Sequence, residues 1–284
     1  MENTKISWDM CQEISDYILL DGIFELKNSV RLPSIHDAPN QPGNYFIYHS
    51  NQSFYIGETK NINQRLKQQV NPKRSLFYKN YLKSNYVDKS LDINDFNIKV
   101  LIHKLGRKEI EEFGIVNLGT ILNRFQIGKR KKLFGNPNKG IWHLVQIHAE
   151  KILFEGENKL LKIIPIKWYD ADVVNNAGIY YVEHNTNGII YIGESSNINQ
   201  RYKTHSKDTY FSALRRHIGT NIFEFELKER NKKKRYFSDN ENQQINSYLG
   251  ECLLRTMKIN FGRFELEEFL IRKYKPLLNR KENR

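Results

Sequence analysis

The sequence predicts an α/β (α+β) chain of two tandem modules, each a small three-stranded antiparallel sheet flanked by helices. Three observations carry that expectation. A block of sequence recurs in the two halves; each copy opens with two short strand patterns around a turn; and the segments that follow have the apolar spacing of helices packed on a sheet. At 284 residues, 39% hydrophobic and 12% aromatic, the chain is long enough for two domains that each bury a core.

The repeat is read directly. The first half has Gly43-Asn44-Tyr45 and then Tyr55-Ile56-Gly57; the second has Gly178-Ile179-Tyr180 and then Tyr191-Ile192-Gly193. The offset of 136 that maps Tyr55 onto Tyr191 also carries Asn61-Ile62-Asn63-Gln64-Arg65 onto Asn197-Ile198-Asn199-Gln200-Arg201. Near the ends, Glu111-Glu112-Phe113 through Leu122-Asn123-Arg124 matches Glu267-Glu268-Phe269 through Leu278-Asn279-Arg280 at an offset of 156, so the second copy holds about twenty further residues. Upstream, Phe24-Glu25, Pro33 and Asp37-Ala38 resemble Phe154-Glu155, Pro165 and Asp170-Ala171, a lead-in before each first strand. We expect a first module over 1–130 with an N-terminal helical lead-in, a basic linker over 131–152 and a second module over 153–284. The join falls where Lys129-Arg130-Lys131-Lys132 runs into Gly135, Pro137 and Gly140, residues that end elements.

In the second copy, a strand over 178–182, an Asn-Thr-Asn-Gly turn over 185–188 and a strand over 189–192 predict a hairpin. Ser195, Ser196 or Asn197 can cap a helix running to about His205, with another helix over 210–218. Phe223, Phe225 and Leu227 alternate with polar residues and predict the third strand. The added length is then expected after it, over 231–243, where Lys232-Lys233-Lys234-Arg235 reads either as a solvated loop or as an arm contacting a nucleic-acid groove. Helices are expected over 243–258 and 264–274.

Ile198, Arg201, Tyr202 and His205 share one helical face, which should point at the sheet; Ile62, Arg65, Leu66 and Gln69 repeat the pattern. An arginine there either reaches solvent past its aliphatic stem, pairs with an internal carboxylate, or neutralises a phosphate in two-pronged fashion. In the late helix, Phe264, Glu267, Ile271 and Tyr274 form a second inward stripe, matched by Glu111, Ile115 and Leu118. A glutamate so placed is an edge residue, a salt-bridge partner, or a ligand for a hard cation such as Mg²⁺.

Composition narrows the partners. A formal charge of +13 suits a phosphate backbone, although a lysine-rich composition alone has the same effect. Two distant cysteines, Cys11 and Cys252, cannot build a zinc cluster. No apolar run is long enough to cross a bilayer, and the polar start of the chain lacks an export signal, so a cytoplasmic location and no membrane partner are expected.

With these residues in view, the chain resembles the GIY-YIG nuclease superfamily, whose site combines two motif tyrosines, a helix-one arginine, a late-helix glutamate and a terminal asparagine. The resemblance implies a catalytic set of Tyr180, Tyr191, Arg201, Glu267 and Asn279, with His205 in the place where the restriction-endonuclease branch tends to carry a histidine. It implies a metal-dependent hydrolase, with Mg²⁺ (or Mn²⁺) on Glu267, Arg201 on the phosphate, and Tyr180, relayed through His205, as general base. For that role Arg201 and the metal are expected to lower the Tyr180 pKa. The first copy offers a possible second site, Tyr45, Tyr55, Arg65, Glu111 and Asn123, with Glu111 as metal ligand. It departs from the family in Gly-Asn-Tyr, in Gln69 for the histidine, and in Gly114, expected to interrupt the late helix.

The implied function is a DNA endonuclease, foremost a site-specific type II restriction endonuclease acting on double-stranded DNA. The chain would work as a monomeric pseudo-dimer or as a homodimer. The alternatives are a phage-defence, repair or mobile-element nuclease of looser specificity and, in another class, a non-catalytic DNA-binding protein built on degenerate repeats. DNA contacts are expected at Lys129, Arg130, Lys131, Lys132, Lys232, Lys233, Lys234 and Arg235.

Overall fold

The computed structural model describes residues 6–84, 90–123, 130–135, 137, 139–207, 209–230 and 232–279, the side chains of Lys233 and Lys234 excepted. The chain divides into two compact units, Met1–Ile152 and Leu153–Arg284.

The first unit opens with α1 (Trp8–Glu13) and α2 (Ser15–Asn28). Ser7 caps α1, its Oγ accepting from Met10 N at 3.3 Å, and α2 buries Ile18, Leu19, Ile23 and Leu26. Strands β1 (Gly43–His49) and β2 (Gln52–Thr59) form an antiparallel hairpin, and β3 (Asn97–Ile102) pairs with the other edge of β1, giving the order β2-β1-β3. Between β2 and β3 lie α3 (Ile62–Gln69) and α4 (Leu76–Lys83); α5 (Arg107–Asn117) follows β3. Tyr45, Tyr55, Ile62, Leu66 and Phe77 share one buried cluster between sheet and helices.

Part of the stretch 131–152, expected as a linker, is helical. It holds α6 (Ile141–Ile147) and the start of α7 (Ala149–Leu161). Asp21 of α2 accepts from Gly140 N at 3.1 Å and Trp142 N at 2.8 Å, and the buried Trp142 ring lies 4.9 Å from that of His103. Trp142 and Val145 supply the apolar face that docks α6 within the first unit. Gly114 does not interrupt α5 either, which runs through it. A Cβ there would stand 2.5 Å from Ile56 Cδ1 and 3.0 Å from Ile23 Cδ1, so its absence lets β2 and α2 close on the helix.

The second unit begins with α7 and a two-residue strand β4 (Ile166–Lys167), then the hairpin β5 (Gly178–His184) and β6 (Gly188–Ser195). Helices α8 (Ile198–Lys207) and α9 (Ala213–Asn221) follow, then a separate ribbon of β7 (Lys228–Arg230) and β8 (Lys233–Tyr236), α10 (Asp239–Gly250), β9 (Cys252–Lys258) and α11 (Arg263–Tyr274). The sheet has four strands, β4-β9-β5-β6, not the expected three. Its third full strand is β9, within the segment expected as helix, whereas residues 223–227 form no strand. Glu224 takes a positive φ of 58°, which breaks an extended run, and Phe223 and Phe225 pack on Tyr248 and Phe237 instead. The pairings Gly43↔Ile102 and Gly178↔Lys258 show that the offset is already 156 at this strand. The added residues therefore precede it, as the β7-β8 ribbon and α10.

The five-residue identity has a local cause. Asn61 and Asn197 cap α3 and α8, each Oδ1 accepting from the backbone N three residues on, at 2.9 and 3.0 Å. Ile62 and Ile198 are buried, and the amides of Asn63 and Asn199 donate to Ala38 O and Val173 O. Arg65 and Arg201 are then delivered to the same place beside the tyrosines.

Candidate active site

Tyr180 of β5 and Tyr191 of β6 stack with ring centroids 6.0 Å apart and an interplanar angle of 17°. Their packing requires the glycine that ends the second motif: Gly193 lies opposite Tyr180 in the sheet, and a Cβ there would fall 2.2 Å from the Tyr180 Oη. Gly57 has the same relation to Tyr45, at 2.3 Å.

The Tyr180 hydroxyl lies 3.0 Å from His205 Nε2, and His205 Nδ1 lies 2.7 Å from Ser212 Oγ. Ser212 caps α9, its Oγ accepting from Arg215 N at 3.0 Å. Arg215, 1% exposed, donates to Thr209 Oγ1 at 3.0 Å, Asn246 Oδ1 at 2.7 Å and Asn242 Oδ1 at 3.2 Å. The relay Tyr180–His205–Ser212 is thus braced by α10, which has no counterpart among the described residues of the first unit. Its outer members were not evident from spacing. The signal for Ser212 was its own cap position, seven residues beyond the histidine.

Burial pushes the Tyr180 hydroxyl well above its ordinary value, with Tyr191 adding to the rise and Arg201 opposing it. Arg201 acts in the expected direction, but desolvation of the phenolate outweighs an arginine that is exposed to water. Tyr191 is pushed up to about 12 by burial and by the Glu267 carboxylate. His205 is pushed down to about 3 by burial and then by Arg201, Arg215 and Arg216. At neutral pH the relay is therefore uncharged. With the phenol donating to Nε2, Nδ1–H donates to Ser212.

Arg201 points to solvent rather than inward, because α8 turns Ile198 and His205 to the sheet and leaves the arginine at the edge of the tyrosine pair. Glu267 on α11 is half-buried, at the margin of a stripe formed by Leu266, Leu270 and Ile271. Its Oε1 accepts from Glu194 N at 3.0 Å, and Glu194 Oε2 accepts from Arg263 Nε at 2.8 Å. Asn279 is spent on the backbone: its Oδ1 accepts from Ile192 N at 2.9 Å and its Nδ2 donates to Ile192 O at 2.7 Å. It anchors the chain after α11 to the strand carrying Tyr191.

The first unit repeats the frame with other chemistry. Tyr45 and Tyr55 stack at 6.1 Å and 25°, and Asn123 clasps Ile56 at 3.0 and 2.7 Å. The Tyr45 hydroxyl accepts from Gln69 Nε2 at 2.8 Å and Arg65 Nε at 3.3 Å, and Ser75 Oγ donates to Gln69 Oε1 at 3.2 Å. Glu111 is buried against Lys108, Nζ to Oε2 2.6 Å. Burial pushes its carboxyl up to about 7 while the Lys108 ammonium pulls it down.

The basic runs are dispersed. Lys129 lies outside the described residues. Arg130 pairs with Asp16 at 3.3 Å, Lys131 is exposed, and Lys132 lies over the Phe134 ring at 5.5 Å. Lys232 is exposed with φ 60°, between β7 and β8, and Arg235 lies over the Tyr210 ring at 5.3 Å; Lys233 and Lys234 stand in β8 by their backbone. Among the described residues, no helix is long and apolar enough to cross a membrane.

Comparison with protein families gives two matches. Residues 160–284 match one profile of the GIY-YIG catalytic domain, and residues 41–97 match another. No curated protein and no solved structure matches the chain.

Proposed function

We propose that this chain, a member of the GIY-YIG nuclease superfamily carrying two such domains in tandem, is a type II restriction endonuclease that cuts double-stranded DNA at a fixed sequence with the second unit's site. The observation that carries the reading is the 3.0 Å contact from Tyr180 Oη to His205 Nε2, a hydroxyl backed by a neutral proton acceptor beside Glu267 and Arg201.

The residues fit a divalent ion at Glu267. The carboxylate is a hard oxygen donor, partly open and oriented by the Glu194 amide. Among the described residues, no group of three His, Cys, Asp or Glu could hold an ion alone, so Glu267 would hold Mg²⁺ or Mn²⁺ as a single carboxylate ligand, with water and substrate supplying the rest. When bound, the ion would supply charge neutralisation at the scissile phosphate and a lower pKa for a coordinated water. The protein does the rest. Arg201 at the open edge pairs with the incoming phosphate, and Tyr191 stacks on Tyr180 to hold the phenol in place. As water attacks in line, Tyr180 Oη takes its proton and passes its own to His205 Nε2. The arriving phosphate offsets Arg201, one of the charges that depress His205, so the imidazole becomes a better acceptor when substrate is present.

Plasmid digestion with Mg²⁺ and with EDTA, followed by end sequencing, tests this. Recurring ends in Mg²⁺ alone, with cutting abolished and duplex binding kept in Glu267→Ala, are expected. Retained cutting by that variant overturns the assignment of Glu267, and scattered ends overturn site specificity.

A further inference from the structure

We infer that the first unit's site carries its own cation, Lys108, in the position where Glu267 would meet a divalent ion, so that the chain has one cutting centre and nicks one strand per encounter. The inference rests on the proposed role of Glu267.

The late helices align at an offset of 156, which sets Glu111 opposite Glu267 and Lys108 opposite Phe264. One turn before the carboxylate, the second unit thus has a ring that cannot neutralise it, and the first has an ammonium. Lys108 Nζ and Glu111 Oε2 are 2.6 Å apart, with side chains 16% and 4% exposed. A divalent ion at Glu111 would have to displace that ammonium and then sit beside it, two like charges in a poorly solvated pocket. The first unit therefore does not fit the family's metal.

A second, independent loss lies at the tyrosine. Tyr45 Oη receives hydrogens from Gln69 Nε2 and Arg65 Nε, and neither group can accept a proton. In the second unit His205 Nε2 occupies the place of Gln69 and can accept. Cation site and proton acceptor are both replaced in the first unit, while its tyrosine stack and asparagine clasp are kept. That leaves a module able to hold its fold without metal and unable to cleave. A double-strand break then takes two chains, or two successive encounters.

Mn²⁺ binding to the full chain with a short duplex, read by electron paramagnetic resonance, tests the inference without relying on turnover. One ion per chain is expected in the unaltered protein and in Glu111→Ala, and none in Glu267→Ala. Lys108→Phe, which copies Phe264, should gain an ion; Lys108→Gln reads the same point if the ring does not fit. Two ions in the unaltered chain, loss of its ion in Glu111→Ala, or no gain in either Lys108 variant overturns the inference. Absence of any ion from the unaltered chain together with a gain in Lys108→Phe upholds Lys108 as the occupant of the Glu111 site and sinks the role of Glu267 instead. Residual strand nicking by Glu267→Ala that disappears on adding Glu111→Ala also overturns it.

Discussion

The two tyrosine sites differ where protons and cations are handled and agree where backbone is held. Both units stack their tyrosines about 6 Å apart, clasp the second motif's isoleucine with an asparagine, and cap the following helix with another. Against that constant frame, His205 stands where the first unit has Gln69, Phe264 where it has Lys108, and Ile179 and Ile259 where it has Asn44 and His103. The last difference is a coupled one. Asn44 Oδ1 lies 2.6 Å from His103 Nε2, and its Nδ2 donates to Gly57 O and Arg107 O at 3.1 Å each. Gly-Asn-Tyr is thus no decayed motif: the buried amide has a built network of partners. A duplicated fold keeps what positions its strands and is freer to change what performs chemistry.

The sharpest way to break this comparison is to move one site's chemistry into the other. His205→Gln copies Gln69, which the same scaffold already accommodates, so the second unit should fold while strand cleavage drops ~10²–10⁴-fold, as loss of a proton acceptor does. Cleavage within threefold of the unaltered rate would remove the relay from the mechanism. Next in size, Gly193→Ala drives a Cβ to 2.2 Å from Tyr180 Oη and should cost about 1–3 kcal/mol as overpacking, read from the urea midpoint, together with cleavage. An unchanged midpoint would mean the strand yields without cost.

Acid should separate the units. His103 and His205 are both held down to about 3, below the unfolded value. The unfolded chain binds the proton first, so each histidine's contribution is whole above about pH 6.5 and is lost as pH falls below it, by about 1.4 kcal/mol per unit. Glu111, held up to about 7, has the opposite sign. The folded state binds its proton first, and acidification from pH 7 towards 4.5 favours the first unit. The second unit should therefore lose more stability between pH 7 and pH 5, measured by urea unfolding with a probe in each unit. Equal losses would remove the asymmetry. The smallest effect concerns the buried pair. Asn44→Ile and His103→Ile should each destabilise the first unit, and the double variant, copying Ile179 and Ile259, should recover about 0.5–3 kcal/mol as coupling in a double-mutant cycle. Additive losses would show the two residues to be independent.

Much of this frame was legible because it is local. The hairpin around residues 185–188, a cap for α8 within 195–197 and the late helix follow from turn chemistry and helical spacing. Tyr180 and His205 were placed on elements that do meet. The third strand was misplaced because Phe223, Phe225 and Leu227 alternate as well as any strand. Period alone cannot tell an edge-packed coil from a ladder, and only pairing with β5 gives that role to residues 252–258. The helical face over 198–205 points Arg201 inward by spacing, but that face is wider than the contact it makes.

Chain order and residue type were enough to establish the duplication, the fold class and which half keeps the histidine, since those depend on neighbours a few residues apart. Tertiary structure alone decided that Ser212 and Arg215 brace His205, that desolvation outweighs Arg201 at Tyr180, and that the Lys108–Glu111 pair is buried. These turn on burial and on distances of about 3 Å between side chains. A pKa or an ion pair is set by what surrounds a group in space, and a one-dimensional pattern does not carry that information.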